Sequence, residues 1–132
     1  MPALGPSGRV FNRTRQVCLA DKIQVAGTHW TRLRGLMFRD AATFCTGQGL
    51  WIIPSRGIHT FAMRFPIDAA YLDKNQVVVD LQLNLKPWRL GPVRVNAASV
   101  LELPENTLSS SGTQVGDQLE ISMQQASEAV FV

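Results

Sequence analysis

Three polar side chains interrupt an otherwise apolar segment, GIHTFAMRFPIDAAYLD, which covers residues 57–73. They are His59, Arg64 and Asp68. A histidine near a carboxylate can act in acid–base catalysis, because the imidazole titrates close to neutral pH. The same residues can also line a small-molecule pocket, or form a paired network that fixes a bend in the chain. The segment leaves these three interpretations open.

Asp68 is the most constrained of the three residues. The run Ile67–Leu72 has the character of a strand that is apolar on both faces, and Asp68 lies within it. An unpaired buried carboxylate is costly, so Asp68 must have partners. Arg64, Arg34, a helix N-terminus or backbone N–H groups could supply them.

A ligand-binding interpretation predicts a pocket for a small, anionic molecule near this segment. The candidate binding residues are Arg34, Arg39, His59, Thr60, Arg64 and Asp68. One alternative is a hydrolase-like enzyme that uses His59 and Asp68. Another is a protein or nucleic-acid interaction module that uses the basic N-terminal third of the chain.

Other sequence signals for chemistry are weak. The His and Cys residues are His29, His59, Cys18 and Cys45, and no two of them lie within five positions of each other, so no structural zinc site is expected. There is no G-x-S-x-G nucleophile motif and no glycine-rich phosphate loop. We therefore expect no metal and no cofactor. The cysteines are expected to be reduced thiols that serve as small apolar residues.

Charge is distributed unevenly along the chain. Residues 1–40 carry seven Lys or Arg and two Asp, whereas the whole chain has a net charge of +3. The arginines are singly spaced rather than clustered, which favours a solvated face over a nucleic-acid surface. No apolar run is long enough to span a membrane, and no apolar leader opens the sequence, so a cytoplasmic protein is expected. A monomer or a homodimer is expected, because exposed strand edges and the apolar VFV end would allow two copies to pair.

The secondary-structure elements that would position these residues are mostly short strands. Strands are predicted near residues 15–19 and 22–26, with a turn at Asp21–Lys22, and at residues 50–53, 67–72, 76–83, 100–103 and 118–123. The alternation in 76–83 places Val77, Val79, Leu81 and Leu83 on one face. A helix is predicted over 29–36, capped by Thr28 and ending near Gly35, and residues 106–111 could form one helical turn.

These elements predict a mainly β (α+β) fold. We expect a small antiparallel β-barrel or strongly curved sheet of about seven strands with one short helix packed on it. The domain would cover residues 9–123, between a flexible N-terminus at 1–8 and a C-terminal tail at 124–132.

Five blocks of the sequence resemble the domain of unknown function 192 family. They are RGLMFR at 34–39, GLWII at 49–53, HTFAMRFPIDAAYLD at 59–73, VLELP at 100–104 and Gly116–Asp117. The resemblance covers roughly residues 15–123. It implies a compact β-rich domain, closed or nearly closed, with a short helix, and it implies no established activity. One departure is Asn106, where family members often have glycine; asparagine tolerates a left-handed turn, so the fold is not in doubt.

Overall fold

The computed structural model describes residues 7–123 of the chain. Its strands are β1 Gly8–Asn12, β2 Val17–Ala26, β3 Gln48–Ile52, β4 Ile67–Leu72, β5 Val78–Leu85, β6 Ser99–Pro104 and β7 Leu119–Met123. Two short α-helices, α1 His29–Arg34 and α2 Thr107–Ser111, and a 3₁₀ turn at Ala41–Thr43 complete the elements. The mainly β fold with seven strands is thus confirmed.

The seven strands form one curled sheet in the order β5-β4-β6-β3-β2-β1-β7. The two edge strands approach each other at one end, where Val77 and Gln118 form an isolated bridge. All pairings are antiparallel except β2–β3, which is parallel because the chain crosses over through α1 between these strands. The result is a half-barrel with one α-helical crossover.

Helix α1 forms where the sequence predicts it. Thr28 accepts a hydrogen bond from the backbone N–H of Thr31, and the Thr31 side chain bonds back to the Thr28 backbone, which gives a complete capping box. Gly35 ends the helix at φ +48°, a conformation that glycine adopts most easily. Asn106 likewise has φ +74° before α2, as expected for a residue that tolerates a left-handed turn.

Two local predictions are wrong. Asp21–Lys22 does not form a turn, because β2 runs through it for ten residues with both side chains exposed. The first reversal lies instead at residues 13–16, after β1. In β5, Leu72 pairs with Val78 while Tyr71 pairs with Asp80, so a bulge interrupts the alternation predicted for residues 76–83.

The sheet has a hydrophobic cluster on each face. One cluster includes Leu36, Ile52, Ile67, Tyr71 and Val100 and lies on the α1 side. The other packs residues of β1, β2 and β6 with Leu108 of α2. Because successive strand residues point to opposite faces, the buried carboxyl groups of Asp68 in β4 and Glu102 in β6 each face one cluster or the other.

The cysteines differ from their expected environment. Cys18 and Cys45 are both exposed and free, so they do not act as buried apolar residues. In residues 7–123, no helix combines the length and the apolar character needed to cross a membrane.

Candidate functional site

A pocket of about 500 Å³ lies between α1 and the loops that follow β3 and β5. It is partly open to solvent. Its lining residues are Arg32, Leu33, Arg34, Gly35, Ile52, Pro54, Ser55, Arg56, Gly57, Ile58, His59, Leu90, Gly91, Val93 and Glu102. We call it the Glu102 pocket. Its walls are mostly aliphatic, with basic side chains from two segments and one acidic side chain from the sheet.

Glu102 lies in the middle of the sheet and is only 2% exposed. Its strand, β6, pairs with β3 on one side and β4 on the other. Within residues 7–123 its buried Oε1 atom forms no hydrogen bond. Burial raises the pKa of Glu102 from 4.5 to about 8, because the interior disfavours the charged form. Glu102 is therefore predominantly protonated at neutral pH.

Gly35 lies directly beside this carboxyl group. A Cβ atom placed on Gly35 would lie 3.9 Å from Oε1 of Glu102, in ordinary van der Waals contact. A longer side chain would fill space next to the carboxyl oxygen. The glycine that ends α1 thus also leaves room beside Glu102.

Three arginines line the pocket. Arg32 donates to the carbonyl oxygen of Pro54 at 2.8 Å, and a cis peptide bond precedes that proline. Arg34 and Arg56 form no side-chain hydrogen bond and no ion pair with any described residue. Their guanidinium groups are available to an anion, since guanidinium binds carboxylates and phosphates in a bidentate manner.

His59 belongs to the pocket wall, but its ring is already bonded on both sides. Nε2 lies 3.1 Å from the carbonyl oxygen of Leu33, and Nδ1 accepts from the backbone N–H of Phe61 at 3.1 Å. These contacts make Nε2 the protonated nitrogen. His59 therefore joins α1 to the 57–62 loop, and its ring stacks on Phe61 with 5.2 Å between centroids.

Asp68 does not reach this pocket. It is 1% exposed and shares its sheet face with Ala70 and Leu72 of the opposite cluster. Oδ1 accepts from the backbone N–H of Asn84 and Oδ2 from that of Leu108, each at 2.9 Å. The required partners are thus backbone N–H groups, one of them in the first turn of α2. His59 and Asp68 do not form a pair.

The remaining predicted site residues are spread over the molecule. Thr60 is fully buried, donates to the carbonyl of Lys86 at 2.6 Å and accepts from the N–H of Arg89 at 2.8 Å. Arg64 forms an exposed ion pair with Asp40 at 2.8 Å. Of the six candidates, the structure brings only Arg34 and His59 into the Glu102 pocket.

Arg39 lies beside a second, smaller hollow that it shares with Lys22, Gln24 and Phe44. Its guanidinium group stands 5.8 Å from the centre of the Phe44 ring and donates to the carbonyl of Thr43. Partial burial, and then the positive charge of Arg34, lower the pKa of Arg39. Arg39 is therefore already engaged in packing this part of the surface.

The basic N-terminal third is partly neutralised by acidic residues from the C-terminal strand region. Arg15 bonds the buried Asp117 at 3.0 Å, and Arg13 lies 4.0 Å from Glu120. Asp117 also accepts from Asn12, and these contacts lower the pKa of its carboxyl group despite its burial. Among residues 7–123, no group of three or more His, Cys, Asp or Glu side chains could hold a metal ion.

Sequence reasoning did not identify Glu102, Arg56 or Arg32 as site residues. Glu102 had a detectable signal: it is the single charged residue in the apolar strand VLELP. The same reasoning that required partners for Asp68 applies to it. Arg56 gave no such signal, because it lies in a short turn after Pro54 and only the fold brings it near α1.

Comparisons with known proteins agree with this architecture. A UPF0127 protein of Thermococcus sibiricus is 26% identical over 126 residues, which cover 92% of this chain and 79% of the relative. A UPF0127 protein of Pyrococcus abyssi is 30% identical over 119 residues, 86% of this chain and 97% of the relative.

Two crystal structures have the same fold. A Novosphingobium aromaticivorans protein of unknown function has a TM-score of 0.73 at 18% identity, covering 89% of this chain and 94% of that one. A Sinorhizobium meliloti protein, described as a candidate transcription regulator, has a TM-score of 0.74 at 19% identity, covering 90% and 97%. The DUF192 family model, described as "Uncharacterized ACR", matches residues 10–121. The chain therefore belongs to the DUF192 family.

Proposed function

We propose that this protein binds a small organic anion in the Glu102 pocket. The observation that carries the proposal is the buried Oε1 atom of Glu102, which has no hydrogen-bond partner in residues 7–123 and lies at a pocket of about 500 Å³. Native proteins satisfy nearly all buried polar atoms, so an exception beside a cavity indicates a group that a ligand completes.

The charge of the pocket supports an anion. Within residues 7–123, Arg34 and Arg56 have no acidic partner, and Arg32 bonds only to carbonyl oxygens and to His29. Glu102 does not oppose an anion at neutral pH, because its pKa of about 8 keeps it protonated. The pocket is thus positively charged at its arginines and neutral at Glu102.

The shape of the pocket supports an organic ligand rather than an inorganic ion. Ile52, Pro54 and Ile58 supply apolar wall, and the exposed side chains of Leu90 and Val93 extend it. Apolar walls with a few placed polar groups are the usual composition of small-molecule sites. A short carboxylate with a hydrocarbon body satisfies both features.

Calorimetric titration with butanoate, pentanoate and hexanoate tests the proposal. We expect saturable binding that weakens at least about tenfold in the double variant R34A/R56A, because each charge-assisted bond contributes more than a neutral one. The matched control is Arg9→Ala, which removes an exposed arginine outside the pocket lining. Equal affinity in the double variant and the control would contradict the proposed site, and so would an absence of binding to the unaltered protein.

A further inference from the structure

We propose that the ligand of the Glu102 pocket is an aminocarboxylate, with its carboxylate at the arginines and its primary amine at Glu102. This inference rests on the proposed function, because it needs an anion site in the same pocket. It adds the chemical identity of the ligand's second end and assigns Glu102 as the residue that selects it.

The missing hydrogen-bond partner of Glu102 favours an amine as the second end of the ligand. No described residue donates to Oε1, so a donor that reaches this oxygen comes from outside this part of the chain. A primary ammonium carries three donors and no acceptor, and its charge-assisted hydrogen bonds to a carboxylate are about twice as strong as neutral ones. The space beside Gly35, which has no side chain, adjoins the same oxygen.

The apolar side chains of the lining favour a hydrocarbon spacer. Ile52, Ile58 and Val93, whose side chains are hydrocarbon, all line this pocket. The one hydroxyl group in the lining belongs to Ser55, and it already donates to the carbonyl of Gly57 at 2.7 Å. A chain of methylene groups fits this wall better than a polar body, which would lose its hydrogen bonds to water.

The protonation state of Glu102 makes the free-energy cost of ionising it for amine binding small, and it makes binding measurable as proton release. With a pKa of about 8, roughly one molecule in ten is ionised at pH 7, so ionisation lowers affinity by only about tenfold. Amine binding then releases close to one proton from Glu102. The other charged or titratable groups near it are Arg32, Arg34, Arg56 and His59 in the lining, and Tyr71 on the same sheet face.

Calorimetry with 4-aminobutanoate, 5-aminopentanoate and 6-aminohexanoate tests this inference against the matching plain carboxylates. We expect at least one amino acid to bind about tenfold more tightly than its plain counterpart. In Glu102→Gln, which keeps the shape but cannot ionise, that preference should fall to about onefold while the plain carboxylates still bind. A pH-stat titration in unbuffered sodium chloride at pH 7, which contains neither a competing oxyanion nor a competing amine, should show release of about one proton from the unaltered protein.

The outcomes separate the two proposals. Plain carboxylates that bind, with every amino-acid preference below about threefold, would overturn the aminocarboxylate and leave the anion site standing. The corresponding alkylamines binding as tightly as the amino acids would overturn the anion site instead. If Glu102→Gln still prefers the amino acids over the plain carboxylates, Glu102 is not the residue that selects the amine. The proton-release measurement needs no variant, so it remains decisive if Glu102→Gln does not fold.

Discussion

Asp68 and Glu102 are two buried carboxyl groups on adjacent strands, and they differ in their hydrogen bonding. Asp68 pairs with Leu103 and Ala69 with Glu102, so the two acids occupy consecutive positions of one ladder and point to opposite faces. Asp68 accepts two backbone N–H groups. In residues 7–123, Glu102 receives no bond at Oε1. The first acid holds the structure together; the second lies at a pocket.

This difference shows which of the two groups is explained by folding alone. Asp68 bonds the N–H groups of the β5 and α2 backbones, and its removal would leave both without a partner. Among residues 7–123, Glu102 makes no comparable hydrogen bond, and its burial costs desolvation free energy. Real proteins break the rules of polar satisfaction chiefly at functional sites, so the comparison directs attention to Glu102 rather than Asp68.

The largest expected effect comes from removing the Asp68 carboxylate. Asp68→Ala leaves the N–H groups of Asn84 and Leu108 unpaired, and hydrogen bonds to a charged group contribute about 1.5–3 kcal/mol each. We expect a loss of about 3–6 kcal/mol in the free energy of unfolding, measured with urea, and a smaller loss for Asp68→Asn, which keeps one oxygen. A loss below about 1 kcal/mol in Asp68→Ala would contradict its role in the fold.

The second largest expected effect is a dependence of stability on pH that comes from Glu102. The pKa of Glu102 is raised from 4.5 to about 8 by burial, so between these values the unfolded chain binds fewer protons than the folded protein. Stability then decreases as pH rises, by about 1.4 kcal/mol per unit for this group, and levels off above pH 8. Urea unfolding should show the unaltered protein losing roughly 3 kcal/mol more than Glu102→Gln between pH 5 and 8. Stability–pH curves of the same shape for the unaltered protein and Glu102→Gln would show that Glu102 is not buried as described.

A smaller effect is expected at Thr60, a third buried polar group whose bonds are complete. Thr60→Val keeps the shape but removes the hydroxyl that bonds Lys86 and Arg89. We expect a loss of about 1–3 kcal/mol in thermal or urea unfolding, because the N–H of Arg89 loses a partner. The control Thr46→Val alters an exposed threonine and should change stability by less than about 0.5 kcal/mol. Equal losses in both variants would mean that the hydroxyl does not anchor this loop.

The smallest effect is expected at Arg64, although it lies in the same segment as Asp68. Arg64 and Asp40 form an ion pair with 59% and 69% of their side chains exposed. Such pairs contribute less than about 1 kcal/mol. Arg64→Ala should therefore leave urea unfolding nearly unchanged and leave carboxylate binding intact. A loss in the free energy of unfolding as large as that of Asp68→Ala would show that Arg64 belongs to the buried hydrogen-bond network of Asp68.

Much of the fold could be predicted because its signals are local. Thr28 before the helix and Gly35 at its end define α1, and the polar Asp73–Asn75 turn defines the β4–β5 hairpin. The continuous strand β2 was missed for a local reason as well. Asp21 and Lys22 have the composition of a turn, but here they are simply exposed residues of a long strand.

The site could be predicted only in part because its members meet through tertiary structure. The need of Asp68 for partners follows from its apolar strand, but the donors are backbone groups 16 and 40 positions away. Arg34 and Arg39 look equivalent in RGLMFR, yet Arg34 lines the pocket and Arg39 packs over Phe44. That Glu102 lacks a partner is visible only when every neighbouring group has been placed.

The position of β1 in the sheet has a consequence for synthesis of the chain. β1 is flanked by β2 and β7, so among the described residues the first strand pairs with the last. During translation one edge of β1 stays unpaired until residues 119–123 leave the ribosome. An open strand edge invites pairing with other chains. The sheet described by residues 7–123 can therefore be completed only after residues 119–123 have been synthesised, and removal of β7 would leave this edge of β1 unpaired.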